Sequence, residues 1–338
     1  MRAAVIHNPL QMQLESHSNP QPGPGEVLVA VRTAGICAGD LYIYQGTNPY
    51  ARYPVVAGHE ISGVVEEIGE SVDTVRRGTR VVVEPFIGCG SCYPCRIGKR
   101  NCCVHLQIIG VHRPGGYAEK LIAPADNIYA IPENLSYSDA SFAEPVAIAV
   151  QACRRGNVAA GEWVLILGCG PIGLALIEVA RCRGARIIAA DIQPSRLEVA
   201  RQLGAEAVLV DDQLSATVMH LTNGEGAAVV IEATGNAKAM EQTADLIASG
   251  GRIVIVGLLK KGVGVTFPGL DFTRKEMTIV GSRASVDCFP ESLHLLASGN
   301  IHYTRVATEF DLTEAPRVFA KLVAEPGQIH KGLLVHRD

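Results

Sequence analysis

From Ala143 onward the chain repeats one pattern: a short, continuously apolar segment, a turn, and a longer amphipathic stretch. The apolar segments are WVLILG (163–168), RIIAAD (186–191), AVLVD (207–211), AVVIEATG (228–235), RIVIVG (252–257) and MTIVGS (277–282). PVAIAVQACRRG (145–156), PIGLALIEVARCRG (171–184), PSRLEVARQLG (194–204) and AKAMEQTADLIASG (237–250) read as helices. Strands apolar on both faces and separated by helices require a parallel sheet covered on both sides. Ahead of Ala143 the texture differs. VLVAVRTAG (27–35), ISGVVEEIG (61–69) and TRVVVEP (79–85) are short strand-like runs punctuated by Gly and Pro, an all-β pattern. From Phe289 the alternation stops, and KGLLVHRD (331–338) reads as a closing strand of the first part. A chain of 338 residues accommodates two such domains.

Composition removes several classes. The formal charge of −4 offers no electrostatic attraction for nucleic acid or an anionic membrane surface. With 48% hydrophobic residues the chain is too apolar to be disordered. Its longest uncharged apolar stretch, Trp163 to Ile177, is broken by three glycines and a proline and is too short to span a membrane. MRAAVIHNPLQMQLE lacks the apolar core and cleavage site of a signal peptide, so a cytoplasmic location is expected.

Gly168-Cys169-Gly170-Pro171-Ile172-Gly173 matches G-x-G-x-x-G, and its context gives the match its weight: a strand precedes it and an apolar-periodic helix follows. Gly168 permits a tight turn, Gly170 lets the backbone approach a pyrophosphate, and Gly173 allows close helix–strand packing. The helix start then offers N–H groups to an anion. Asp191 ends the next strand, 18 residues past Gly173, where an acid binds the ribose hydroxyls of NAD. That carboxylate repels the extra phosphate of NADP, so NAD is the expected cofactor, while Arg196 is a cation able to tolerate the phosphate.

Of ten cysteines, six lie between Cys37 and Cys103, and in a reducing compartment such clustering suggests metal rather than disulfide. Cys89, Cys92, Cys95 and Cys103 read C-x2-C-x2-C-x7-C, a set able to close a tetrahedral structural zinc site. Cys102 is the alternative fourth ligand. Cys153, Cys169, Cys182 and Cys288 read as small core residues. Cys37 in AGICAGD, with His59 and Glu60 in VVAGHEISG, supplies one soft and two harder ligands from separate loops, a set suited to a zinc that keeps room for substrate. Taken alone, those three residues also fit a core thiol and a surface pair. Glu144, in FAEPVAIA, stands where the β-rich part hands over to the nucleotide-binding part.

Taken in order, AGIC…D, GHE, the four-cysteine lobe, AEP, GCGPIG, AAD and IVGL resemble the zinc-dependent medium-chain alcohol/polyol dehydrogenase family over essentially the whole chain. The resemblance implies an α/β protein: a GroES-like β-barrel catalytic domain over 1–146, an inserted Rossmann doubly wound domain over 147–287, and a return to the catalytic domain over 288–338. It implies a catalytic zinc on Cys37, His59 and Glu60, with Glu144 as exchangeable ligand or holder of a zinc-bound water. It also implies that Ile172, Asp191, Arg196, the Val256-Gly257-Leu258 backbone and Ser282 hold NAD. Glu144, where other branches have cysteine, is similar to the sorbitol/threonine dehydrogenase branch.

Segments 46–54, 110–116 and 280–283 resemble L-galactonate and L-gulonate 5-dehydrogenases, which implies a sugar-acid substrate. Arg52, Arg113, Lys120 and Arg283 are the candidate partners for its carboxylate, and the sequence does not choose among them. One segment departs from the family. Members commonly carry C-x-[ST]-D-x-H, whose hydroxyl and imidazole pass the substrate proton outward. Here Gly39 has no hydroxyl and Tyr42 replaces the histidine, so Tyr42 is the expected partial relay and Asp40 is retained for orientation. A polyol or threonine dehydrogenase, and a zinc-stabilised NAD-binding regulator without catalysis, are the competing expectations. The family forms dimers and tetramers, and a tetramer is the expectation here.

Overall fold

Strand Glu26–Gly35 is the spine of the β-rich unit: Val27, Val29 and Val31 point into the core, and three other strands pair with it. Glu60–Ile68 runs antiparallel along one edge. Lys120–Pro124 pairs with its first half and Lys331–Val335 with its last residues, both antiparallel. The sheet order is Ala307–Asp311, Lys331–Val335, Glu26–Gly35, Glu60–Ile68, Arg80–Val83, Ile128–Ala130. The C-terminal segment therefore does return to this sheet, and every residue of Lys331–Val335 is buried. The computed structural model describes residues 1–325 and 327–336, so the last two residues of the expected strand fall outside it.

The chain divides into two units, one of Met1–Glu144, Phe289–Ser298 and the chain from Thr304, the other of Pro145–Cys288 with Gly299–Tyr303. In the second, six parallel strands lie in the order Glu206–Leu209, Arg186–Asp191, Trp163–Leu167, Ala227–Glu232, Ile247–Ile255, Thr278–Gly281. Numbered within the unit this is 3-2-1-4-5-6, the doubly wound dinucleotide-binding order, which reverses between Trp163–Leu167 and Ala227–Glu232. Leu165, Ile188, Val230 and Ile253 fill the core between sheet and helices.

Two expectations are corrected. The helix expected to run through Gly250 spans Ala237–Leu246, and the chain is extended from Ile247. A tertiary partner stops it: Lys275 Nζ donates to the carbonyls of Ala244 (2.8 Å) and Ile247 (3.3 Å), and Gly250 adopts φ +74° while its N–H donates to Lys275 O. Cys182, expected in the core, is exposed at the last turn of helix Pro171–Cys182. Among the described residues no helix is long and apolar enough to cross a membrane.

Candidate active site

Cys37 caps the N-terminus of helix Ala38–Tyr44, His59 follows the turn at Gly58, and Glu60 opens strand Glu60–Ile68. One ligand atom from each comes together, all within 4.8 Å of one another. Glycine at 35 makes this possible on the neighbouring strand: a Cβ there would lie 1.9 Å from Glu60 Oε2.

Asp40 organises the cluster. It is fully buried, and its carboxylate accepts from the Cys37 N–H (2.9 Å), the Gly58 N–H (3.3 Å) and the Tyr117 hydroxyl (2.7 Å). His59 Nδ1 lies 3.3 Å from Asp40 Oδ1, an electrostatic contact rather than an aligned hydrogen bond. A carboxylate on one imidazole nitrogen leaves the other for a metal. Burial opposes ionisation of Asp40, but His59, Tyr117 and the Cys37 N–H outweigh it and hold the carboxyl below its ordinary value. Burial likewise opposes a charged His59, and Asp40 with Cys37 outweighs it and raises the imidazole well above its ordinary value. A site that draws a proton this strongly is one whose ligands suit a cation.

Sequence reasoning missed two members of the cluster. Tyr117 is fully buried, bonded to Asp40 and, at 3.1 Å, to Gly35 O. Lys331 is also buried, with Nζ 2.5 Å from Glu60 Oε1 and 3.1 Å from Ile36 O. Burial disfavours its charge, but Glu60 and Cys37 raise its pKa above the ordinary value. Neither carries a motif; the only available signal was the strand-like texture around Lys331. The structure thus shows Glu60 ion-paired with Lys331 as well as facing Cys37 and His59. Glu144 is buried in the first turn of helix Ala143–Arg155, and burial pushes its carboxyl up to about 7, against the pull of His59 and with the push of Glu60.

Gly39 faces this cluster: a Cβ there would lie in ordinary contact, 3.9 Å from Cys37 Sγ and from His59 Cε1. Tyr42 is 55% exposed, and its hydroxyl makes no hydrogen bond among the described residues. The structure does not join it to Cys37, His59 or Glu60.

The four-cysteine set closes as a second cluster. Cys89, Cys92, Cys95 and Cys103 bring their sulfurs within 4.8 Å of one another, while Cys102 is exposed and outside it. Cys92 Sγ is 3.5 Å from Cys95 Sγ and 3.6 Å from Cys103 Sγ. Four thiolates at about 2.3 Å from a tetrahedral zinc sit about 3.8 Å apart, so the set fits the ion. Backbone N–H groups of Ser91 and Cys92 pull Cys89 down to about 5, while burial and the Cys92 thiol push Cys95 up to about 12.

At the switch point of the parallel sheet the glycine turn has the shape a pyrophosphate needs. Gly168 has φ +97°, and a Cβ on Gly173 would strike Gly168 O at 1.8 Å. Gly170, the N-cap of helix Pro171–Cys182, has nothing within 4 Å of its would-be Cβ, so an open cradle fronts the helix N–H groups. Asp191 Oδ2 accepts from Cys169 N (2.7 Å) and Oδ1 from Gln193 N (2.8 Å), with Arg196 at 3.6 Å. Val256 and Gly257 donate their N–H groups to Glu232 O, Leu258 is 88% exposed, and Ser282 is buried with its N–H on Ile255 O.

Two of the four candidate carboxylate partners are engaged elsewhere. Arg113 pairs with Glu26 and Lys120 with Glu66, each at 2.6 Å. Arg283 is exposed in the second unit. Arg52 is exposed in the loop after helix Ala38–Tyr44 and has no ion-pair partner among the described residues.

Residues 23–133 match the alcohol dehydrogenase GroES-like domain and residues 171–298 the zinc-binding dehydrogenase domain. The chain belongs to the zinc-type medium-chain alcohol dehydrogenase family and is an oxidoreductase of that kind. It is 37% identical to L-galactonate-5-dehydrogenase of Escherichia coli K12 over 89% of this chain and 88% of that one. It is 35% identical to L-threonine 3-dehydrogenase of Pyrococcus furiosus, over 86% and 85%. The crystal structure of the rspB alcohol dehydrogenase of E. coli CFT073, complexed with NADH, superposes with a TM-score of 0.93 at 33% identity, covering 99% of both chains.

Proposed function

We propose that the protein oxidises a secondary alcohol of a sugar acid of the L-galactonate/L-gulonate type to the 5-keto acid, with NAD as hydride acceptor. In this reading Cys37, His59 and Glu60 hold the catalytic zinc, with Glu144 beside it. Cys89, Cys92, Cys95 and Cys103 hold the structural zinc. The glycine turn, Asp191 and the loop at Val256–Leu258 hold NAD. When bound, zinc supplies Lewis acidity toward the substrate hydroxyl and NAD supplies the hydride acceptor. The chain's own residues do the rest. Asp40 fixes the imidazole of His59, Tyr117 fixes Asp40, and Lys331 holds Glu60 while compensating its charge. Glu144, buried and in electrostatic reach of His59 and Glu60, is the carboxylate suited to accept the proton that leaves the alcohol.

The observation that carries the sugar-acid reading is Arg52. Of the four candidate cations it is the one in the Cys37-bearing unit that is exposed and without an ion-pair partner among the described residues. Its loop is tied to the active-site helix by the Tyr53 hydroxyl, which donates to Ile43 O at 2.5 Å. The similarity to threonine dehydrogenase keeps an amino alcohol as the second reading. NAD reduction with L-galactonate, L-gulonate, sorbitol and L-threonine separates the two. Sugar acids give the highest kcat/KM if the first reading holds, and a preference for threonine or sorbitol refutes it.

A further inference from the structure

Glu232 closes strand Ala227–Glu232, and its register partners on either side, Leu167 and Ile255, each end their own strand. It therefore stands where three adjacent strands give way to turns at the switch point of the sheet. The residue is fully buried, with none of its side chain open to solvent. Its Oε1 gathers three donors: the Thr234 N–H at 2.6 Å, the Thr234 hydroxyl, and the Gly235 N–H at 3.0 Å. Its backbone carbonyl accepts from Val256 N (2.9 Å) and Gly257 N (3.0 Å). One residue thus binds the turn after its own strand and the turn after the next.

These turns are packed on each other and on the glycine turn. A Cβ on Gly257 would lie 2.2 Å from Gly235 N and 2.6 Å from Glu232 Oε2. A Cβ on Gly235 would lie 2.8 Å from Leu258 O, and one on Gly168 would lie 2.8 Å from Thr234 Cγ2. The contacts run from Gly168 through Thr234 and Gly235 to Gly257 and Leu258, with the Glu232 carboxylate beneath them. Nothing in this chain of contacts has slack, so the shape of all three turns depends on where that carboxylate holds Thr234 and Gly235.

Glu232 has a second oddity. Its Oε2 is buried without a hydrogen-bond partner among the described residues. A buried carboxylate oxygen left bare is costly and calls for a reason. An amide at this position would keep the acceptor Oε1 but replace Oε2 with an NH2 group beside Gly257. The three donors on Oε1 offset the cost of leaving Oε2 bare.

We propose that Glu232 is a positioning residue for the nucleotide site, a buried carboxylate that holds the turns after three neighbouring strands in the shape that receives the dinucleotide. The proposal rests on the reading that NAD binds at the glycine turn and the Val256–Leu258 loop. Glu232 does not touch the cofactor; it acts through Thr234, Gly235, Val256 and Gly257.

The test compares Glu232→Gln, Thr234→Val and Asp191→Ala with the wild type by NADH fluorescence titration, KM for NAD and for the alcohol, and melting temperature without cofactor. Loss of a charged hydrogen-bond acceptor geometry should raise the NADH Kd and the KM for NAD of Glu232→Gln by about tenfold. The KM for the alcohol should move much less. A lowered melting temperature with an unchanged NADH Kd would show that Glu232 only supports folding and would overturn the proposal. If Glu232→Gln does not fold, Thr234→Val decides. It removes one of the three donors, and a few-fold rise in Kd supports the proposal while an unchanged Kd overturns it. Asp191→Ala separates the two levels. A weaker NADH complex there with none in Glu232→Gln sinks the positioning role alone, whereas no change in either sinks the nucleotide site on which it rests.

Discussion

Lys331 and Glu60 lie 271 positions apart in the chain and form a fully buried ion pair beside Cys37 and His59. The pair joins the last strand of the β-rich unit to the strand that opens with Glu60, one of the proposed zinc ligands. Removing one partner of a buried pair leaves the other's charge without compensation, which typically costs about 3–5 kcal/mol. Lys331→Met is therefore expected to lower the unfolding free energy by that order in zinc-free protein. A bound dication replaces the lost charge, so urea denaturation should show a smaller loss in the zinc-loaded form. Equal losses in both forms would mean that Glu60 does not face the metal.

Two zinc ions of different lability are expected per chain. A closed four-thiolate site releases its ion slowly, and an open site with a carboxylate ligand releases it faster. Brief chelation should leave about one zinc bound and abolish turnover. Tyr117→Phe should accentuate the difference, because losing a partner behind the ligands typically lowers metal affinity about 10–100-fold. Competition with a chromophoric chelator measures both ions, and loss of the tighter one in Tyr117→Phe would contradict the assignment.

Gly170 and Gly173 should respond oppositely to alanine. Gly170 has open space where a Cβ would go, so Gly170→Ala should fold normally and bind NADH weakly. Gly173→Ala puts a Cβ 1.8 Å from Gly168 O, and overpacking of this kind costs about 1–3 kcal/mol. Melting temperature and NADH titration together read the contrast. A normal NADH affinity in Gly170→Ala would rule out the cradle.

His336 should make stability fall in mild acid. Burial pushes its pKa down to about 4 in the folded chain, against an ordinary value of 6.5. Between those values the unfolded chain binds the proton and the folded chain does not, so stability is lost as pH drops from 6.5 toward 4. At pH 5 the loss is about 2 kcal/mol relative to pH 7. Urea unfolding at the two pH values should show that this component disappears in His336→Phe; an unchanged pH slope would show that His336 is protonated in the fold.

Arg52 and Tyr42 carry the substrate and proton predictions. Arg52→Ala should raise KM for sugar acids by at least about tenfold, as expected for a lost charged contact, and leave KM for an uncharged polyol nearly unchanged. Tyr42→Phe tests the expected relay. A positioned acid–base group contributes about 10²–10⁴-fold, but the exposed hydroxyl of Tyr42 makes no hydrogen bond among the described residues, so a loss below that range is expected. Turnover and its solvent isotope effect measure it, and a hundredfold loss would restore Tyr42 as the main route.

Much of this protein was legible from the sequence alone, because several of its signals are local. A parallel sheet covered on both faces follows from apolar runs alternating with helices, though its 3-2-1-4-5-6 order does not, and the conformational demands on Gly168 and Gly173 follow from backbone geometry within a single turn. The sulfurs of Cys89, Cys92, Cys95 and Cys103 converge because a short loop holds all four. Tertiary structure alone decided what depends on distant partners. Tyr117 and Lys331 carry no motif: the pairing of Lys331–Val335 with Glu26–Gly35 sets Lys331 behind Glu60, and backbone bonds to Ala4 and Ala57 set Tyr117 behind Asp40. Helix Ala237–Leu246 stops where Lys275 takes its carbonyls, which no window around Leu246 contains. Arg113 and Lys120 were indistinguishable from Arg52 until Glu26 and Glu66 were found beside them. A side chain's charge is written in the sequence, but whether that charge is free to meet a ligand depends on what the fold has placed within reach.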